Sequence, residues 1–320
     1  MRPAFSVIFF TVVSGAGYGL LALAGALAAA EKLPRTAGTW VFFLGLALTA
    51  AGFLSSTFHL GHPERAWRAL TQWRTSWLAR EGVLAILTFP IVGGFALLWL
   101  FGPEMLPAAL LAILISLGAA ATTLVSLAAL MATAMIYASL KTIQRWHNGW
   151  VPAGYFAFAL LTGGMWLNLI ARLTRDGDGL FYLVALAALA ATAFVKLGYW
   201  RFIDQSRSAS TAESATGLGN FGKVRLLDPP HTEENFLLHE MGFRIARKHA
   251  RKLRSIALLA GFVVPAAALL LAYLLSGQLV EIALATLAVV SAMLGTLVER
   301  WLFFAEAKHT VMLYYGQAES

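Results

Sequence analysis

The sequence contains no cysteine. That absence excludes disulfides, Cys-ligated iron–sulfur clusters and thiolate chemistry, so any electrons handled here travel on a bound cofactor or belong to a partner subunit. Charge is scarce too. Only 12% of the 320 residues are Asp, Glu, Lys or Arg, whereas a soluble domain carries about a quarter. Histidine deep within the apolar runs is also missing. His59, His62, His147, His231, His239, His249 and His309 all fall at the ends of apolar runs or between them, while a bis-His haem needs histidines deep in facing helices. No haem is expected in this chain.

What fills the sequence instead is apolar length, with 59% hydrophobic residues. Runs of the roughly 20 residues that cross a bilayer recur throughout. Eight are read, at about 5–30, 38–58, 80–101, 106–138, 152–172, 179–200, 255–275 and 279–301. The strict alternation of a transmembrane barrel is absent, so the chain is predicted to be all-α, a single polytopic bundle of eight transmembrane helices over 1–320. The fourth run exceeds what a bilayer needs and should tilt or emerge into water. Arg2, the apolar run behind it and Ala28-Ala29-Ala30 imitate a cleaved leader, but the run is longer than a signal core, so retention is expected.

With eight helices, both termini share a side with the second, fourth and sixth loops. That side carries 20 of the 24 basic residues, and the other has Lys32, Arg35, Arg172 and Arg175. The bias predicts cytoplasmic termini in a bacterial inner membrane. The net charge of +8 therefore reports topology and contact with lipid headgroups; no soluble domain carries a basic face for nucleic acid. The long sixth loop, 202–254, begins with a flexible SRSASTAESATGLGN linker. After Pro229-Pro230, Thr232 is expected to cap a helix with Glu233 and Glu234 in its first turn. Its basic C-terminal half suits an interface or a partner.

The wettest stretch of the first half is FHLGHPERAWRALTQWRTSWLAREG, residues 58–82. On a helix end His59 and His62 would share a face, but metal binding needs three or four converging ligands, and Pro63 interrupts the helix. No metal is expected. A quinone headgroup fits better: it sits near the interface and exchanges protons, so it needs a histidine or carboxylate within hydrogen-bond reach. His59 and Glu81 lie at the ends of adjacent spans on one side. Trp67, Trp73 and Trp77 either anchor the interface or wall a headgroup, and Glu81 either serves the site or pairs with Arg80 or Arg65. A carboxylate inside a span costs roughly 3 kcal/mol on insertion scales, which favours a functional or paired role. Tyr137, Lys141 and Trp146 leave the fourth span on the same side, and Glu299 and Arg300 close the eighth there. Ser14-Gly-Ala-Gly-Tyr-Gly, Gly93-Gly94 and Gly163-Gly164 are read as sites of tight helix packing.

The block F-H-L-G-x-P-x-R-A-W-R (58–68) followed by S-W-L-x-R-E (76–81) resembles the DmsC-type membrane anchors of DMSO-reductase-family molybdoenzymes. Tyr137 with Thr142-Ile143, Pro152-x-Gly-Tyr-Phe with Gly163-Gly164, and E-R-W-L-F-F (299–304) agree with it. The resemblance implies an anchor without redox centres of its own. It would hold a molybdopterin catalytic subunit and a four-cluster iron–sulfur subunit, and exchange electrons with menaquinone or ubiquinone. His59 and Glu81 then match the family's quinol-site positions. Arg65 and Ser76 match motif positions, and Trp77, Arg80 and Tyr137 are candidate headgroup neighbours. The long basic sixth loop looks like the branch that accompanies sulfite-oxidising complexes. Two other classes compete. A secondary transporter would want mid-membrane charge, broken helices and repeated halves, and no convincing repeat is visible. An intramembrane hydrolase or acyltransferase could use His59, His62 and a carboxylate.

Overall fold

The computed structural model describes residues 4–58, 60–206, 210–228, 233, 235–241, 245–275 and 277–317. Among them are eight helices long and apolar enough to cross a membrane, and no β-sheet. In chain order the helices are α1 (Phe5–Ala29), α2 (Arg35–Thr57), α3 (Trp77–Met105), α4 (Ala108–Ala138), α5 (Trp150–Leu173) and α6 (Gly179–Gln205). The short α7 (Ala212–Thr216) and α8 (Phe236–Met241) follow, then α9 (Ile245–Leu258), α10 (Val264–Leu274) and α11 (Gln278–Ala305). A π turn, Leu259–Val263, joins α9 to α10, so the two form one span.

The spans fall within a few residues of their expected bounds, and most differences are extensions. The α6 helix runs to Gln205, α11 runs to Ala305, and the seventh span begins at His249. Polar ends extend them because nothing in those segments breaks a helix. At 31 residues, α4 is about 46 Å long, well over the roughly 30 Å of a hydrocarbon core. The expected cap at Thr232, with Pro229, Pro230 and Glu234, lies outside the described residues. Downstream, residues 242–244 lie outside the described residues, and the described segments on either side of them are helical, as α8 and α9.

Two helices occupy the centre. In the most apolar stretch of α1, 83% of residues are buried, and in α5 78%, against 17% in α4. A helix can be surrounded only if its neighbours approach closely, and in lipid small residues supply that approach. Gly17 faces Thr49 and Gly45 of α2, Gly19 faces Ala159 of α5, and Gly25 faces Thr123 of α4. A Cβ on Gly19 would overlap the Ala159 carbonyl, so these backbones touch. Gly163 packs back on Gly19 and Leu20 as expected, and Gly164 meets Ala185 at ordinary contact distance. The expectation for Gly93 and Gly94 fails: nothing lies within 4 Å of either position, because that face of α3 is not covered by another helix.

The packing repeats where the sequence shows no repeat. In the first half α1 packs on α2 and α4, and α3 packs on both of those. In the second half α5 packs on α6 and α11, and α10 packs on both of those. The two leading helices, α1 and α5, meet along the centre. At the end remote from Glu81, the buried Arg172 donates to the carbonyls of Gly177 (2.9 Å) and Asp178 (2.7 Å) and pairs with Glu281 (3.4 Å). That end is held by structural charge.

Candidate functional site

The loop between α2 and α3 is polar on its outside and anchored underneath. His59 lies outside the described residues, so the geometry places only its neighbours. Leu60, Gly61 and His62 are not helical, and the helical face that would pair His62 with position 59 is therefore not formed. Pro63 instead opens a 3₁₀ helix, Pro63–Gln72, where its missing N–H leaves no intrahelical bond unmade. His62 is exposed and lies 3.1 Å from Glu64. Arg65 is exposed beside Glu64 at 3.6 Å. Arg68 sits over Trp67 and Arg74 over Trp73, each 5.7 Å from the ring centre. Among the described residues no three His, Asp or Glu gather as metal ligands.

At the far end of the loop the polarity turns inward. The Ser76 hydroxyl accepts from the Ala79 amide (3.3 Å) and caps α3. Arg80 lies 4.2 Å over Trp77 and donates to the carbonyls of Trp73 (3.0 Å) and Arg74 (2.6 Å). It ties the loop to the helix and does not pair with Glu81. Glu81, one turn inside α3, is only 3% exposed. Its partner is the Thr133 hydroxyl of α4, which donates to the carboxylate. The alternative of a salt bridge with Arg80 or Arg65 is not realised.

Thr133 leads into the interior. One turn further along α4, Tyr137 stacks on Tyr155 of α5 (5.7 Å, 13°) and meets Trp146, Phe303 and Phe304 edge-on. Arg300 of α11 lies 4.0 Å over Tyr155. A cleft between α1, α4, α5 and α11 is lined by Ser14, Gly15, Tyr18, Thr133, Tyr155 and Arg300. The Tyr18 and Tyr155 hydroxyls are buried and have no hydrogen-bond partner of good geometry among the described residues. Beyond Arg300, Glu299 pairs with Lys196 of α6, both 4% exposed. A second cleft there is lined by Trp150, Gly154, Lys196, Tyr199, Glu299 and Arg300.

Sequence reasoning missed much of this. The count of basic residues per side takes Lys196 and Arg300 as loop charges; they are buried, and without them the bias is eighteen to four. A signal existed for Lys196, a cation inside an apolar run. Thr133, Tyr18 and Tyr155 had none, because a lone hydroxyl in an apolar helix reads as packing until its neighbour is known.

The same end of the bundle is stitched to the sixth loop. Arg254 of α9 pairs with Asp204 (2.6 Å) and Glu306 (3.0 Å), and Arg145 donates to the Glu306 carbonyl (2.8 Å). Tyr314 donates to the Ala215 carbonyl (2.9 Å), and the Asn235 amide donates to the Tyr315 hydroxyl (3.1 Å). Phe221, Leu227 and Phe236 remain exposed on this surface.

A bundle of eight helices long and apolar enough to cross a membrane, with a carboxylate and an ion pair buried near one end, is the architecture of an integral membrane protein. The chain belongs to the DMSO reductase anchor subunit (DmsC) family, which it matches over residues 1–316. It is 33% identical over 330 positions to the C subunit of sulfite dehydrogenase from Allochromatium vinosum, covering 98% of this protein and 99% of that one. It is 30% identical to the C component of the anaerobic dimethyl sulfoxide reductase of Escherichia coli, over 48% of this protein and 50% of the relative. The anaerobic dimethyl sulfoxide reductase component YnfH of the same organism is 29% identical, over 48% of this protein and 52% of the relative.

Proposed function

We propose that this chain is the quinone-reactive anchor of a three-subunit molybdopterin oxidoreductase, passing electrons between the quinone pool and a partner iron–sulfur subunit. The observation that carries the reading is Glu81, a carboxylate buried one turn inside a span whose hydrogen-bond partner is a neutral hydroxyl. Burial there is costly, and a carboxylate without a cation beside it is suited to gaining and losing a proton.

Quinol oxidation releases two electrons and two protons. Glu81 takes a proton from a quinol hydroxyl, or returns one in the reverse direction. His59, at the other end of the loop, hydrogen-bonds the second quinone oxygen; this role rests on the H-L-G block. Trp77 and Arg80 form the rim, Ser76 fixes the start of α3 and hence the height of Glu81, and Tyr137 closes the inner side. Arg65, with Arg68, Arg74 and the sixth loop, faces a four-cluster iron–sulfur subunit that carries the molybdopterin catalytic subunit. The basic side is cytoplasmic in an inner membrane. Similarity along the whole length to a sulfite dehydrogenase subunit, against half-length similarity to the DMSO reductase components, favours a sulfite-linked complex. Family membership speaks against the transporter and hydrolase readings.

The test uses the assembled complex in membranes. His59→Ala and Glu81→Gln should each abolish quinone-linked turnover and leave dye-linked turnover of the catalytic subunit intact. Full quinone coupling in both variants removes the assignment.

A further inference from the structure

We infer that the two clefts flanking Arg300 form a proton route between Glu81 and the Lys196–Glu299 pair. The inference rests on the reading of Glu81 as the group that exchanges protons with quinone.

The first cleft begins at Thr133, whose hydroxyl touches the Glu81 carboxylate. It is lined by Tyr18 and Tyr155, whose buried hydroxyls lie near the side chains of Thr88 and Tyr137 but make no in-line hydrogen bond among the described residues. Leaving a buried polar group unsatisfied costs about 1–3 kcal/mol, so hydroxyls of this kind that border a cleft are met by water, which makes about three hydrogen bonds per molecule. Room is kept by Gly15, which lines the cleft and has nothing within 4 Å of its Cβ position. The second cleft repeats the arrangement: Gly154 lines it with the same open space, beside Lys196 and Glu299. Arg300 and Phe158 line both clefts.

Glu299 offers an acceptor on the second cleft, next to Arg300, which borders both. Its Oε2 lies 3.3 Å from the Arg300 Nε, an ion-pair distance, yet it is buried without an in-line hydrogen bond among the described residues. Its other oxygen holds the Lys196 ammonium. A proton that Glu81 has taken from quinol passes by way of the Thr133 hydroxyl to water in the first cleft, and from there past Arg300, which borders both clefts, to Glu299 Oε2. The O–H bond at Glu81 breaks, one forms at Glu299, and Glu81 is again a carboxylate. As Glu299 is protonated, Lys196 releases a proton to water in the second cleft. Transfer of the Glu299 proton to Lys196 across their contact then restores the ion pair. The charge of the pair is the same before and after each cycle, which matters where the dielectric is low. The two electrons of the quinol go to the partner iron–sulfur subunit. Quinone reduction runs the same steps backwards.

Arg300 keeps a fixed positive charge between the clefts, so an excess proton does not rest there and must end on Glu299. A purely structural ion pair joining α6 to α11 would be indifferent to the Tyr155 hydroxyl and to the space above Gly15.

The two variants that separate these roles are Tyr155→Phe, which removes a buried hydroxyl on the first cleft and keeps the ring that stacks on Tyr137, and Gly15→Ala, which puts a methyl into the first cleft. Both are measured in membranes holding the full complex, with decyl-ubiquinol and menadiol as probes, alongside dye-linked turnover. Each variant should slow quinol-linked turnover by about tenfold and raise its solvent deuterium isotope effect, with KM for quinol and dye-linked turnover changed by less than about twofold. Should one variant lose its membrane-bound dye-linked activity and so fail to assemble, the other decides, with Lys196→Gln as the third. Parental quinol turnover in an assembled Tyr155→Phe or Gly15→Ala variant overturns the route. If Glu81→Gln abolishes quinone coupling in the same assay, only the route has failed; if it does not, the quinone reading has failed with it.

Discussion

The guanidinium of Arg300 lies 4.0 Å over the ring of Tyr155, where α11 meets α5 in the middle of the bundle. Tyr155 in turn stacks on Tyr137, and Tyr137 stands one helical turn from the threonine that holds Glu81. A cation from the second half of the protein is thereby joined, through two aromatic rings, to the carboxylate of the first half. Neither half contains the whole arrangement. The central contact of α1 with α5 fixes its dimensions, because it sets the distance between the halves.

The Thr133 hydroxyl is the fixed partner of Glu81. Thr133→Val keeps the volume and removes the donor. Leaving the carboxylate without it should cost about 1–3 kcal/mol and reduce quinone-linked turnover, whereas Thr133→Ser, which retains the hydroxyl, should restore most of both. Thermal unfolding in detergent and quinol turnover in membranes are the two measurements. Equal behaviour of the valine and serine variants would show that the hydroxyl is not used.

Gly19 and Gly93 make a paired test of helix packing. Gly19→Ala drives a methyl into the Ala159 backbone. Forcing the central helices apart should cost about 1–3 kcal/mol or more. Gly93→Ala meets nothing and should be neutral or stabilising, by up to about 1 kcal/mol from helix propensity. Detergent Tm values for the two variants should move in opposite directions or differ clearly in size.

His309 predicts an acid-sensitive turn. Its Nδ1 accepts from the Val311 amide (3.0 Å) and caps the 3₁₀ turn Thr310–Tyr315. Burial holds the imidazole below its ordinary value of 6.5, so the folded state favours the neutral ring that can accept this bond. A depressed histidine contributes stability that is fully present above its unfolded value and is lost as pH falls through the lower folded value. Amide exchange across the turn, corrected for its intrinsic pH dependence, should therefore accelerate as the pH is lowered below the ordinary histidine range. His309→Asn, whose side-chain oxygen accepts at any pH, should remove the acceleration.

The eight spans were legible because apolar length alone decides insertion, and their bounds moved by only a few residues. Glu81 was legible as costly charge inside a span, and its carboxylate is buried at that position. The contacts around it were not legible: Ser76 caps α3 and Arg80 donates to the carbonyls of Trp73 and Arg74, because these depend on how the loop folds back over the start of the helix. Gly93 and Gly94 looked like Gly163 and Gly164 in composition, but composition does not say which side of a helix meets lipid.

By itself, then, the amino-acid sequence determined that this protein lives in a membrane, how many times it can cross, and that Glu81 falls inside a span. All of these follow from the transfer energies of single residues and runs. Only the tertiary structure decided that Thr133 meets Glu81, that Lys196 and Arg300 are buried on either side of Glu299, and that Tyr18 and Tyr155 line one cleft beside Gly15. Those relations depend on which faces of α1, α4, α5, α6 and α11 turn towards each other. That choice is made by close packing around small residues, between positions far apart in the sequence.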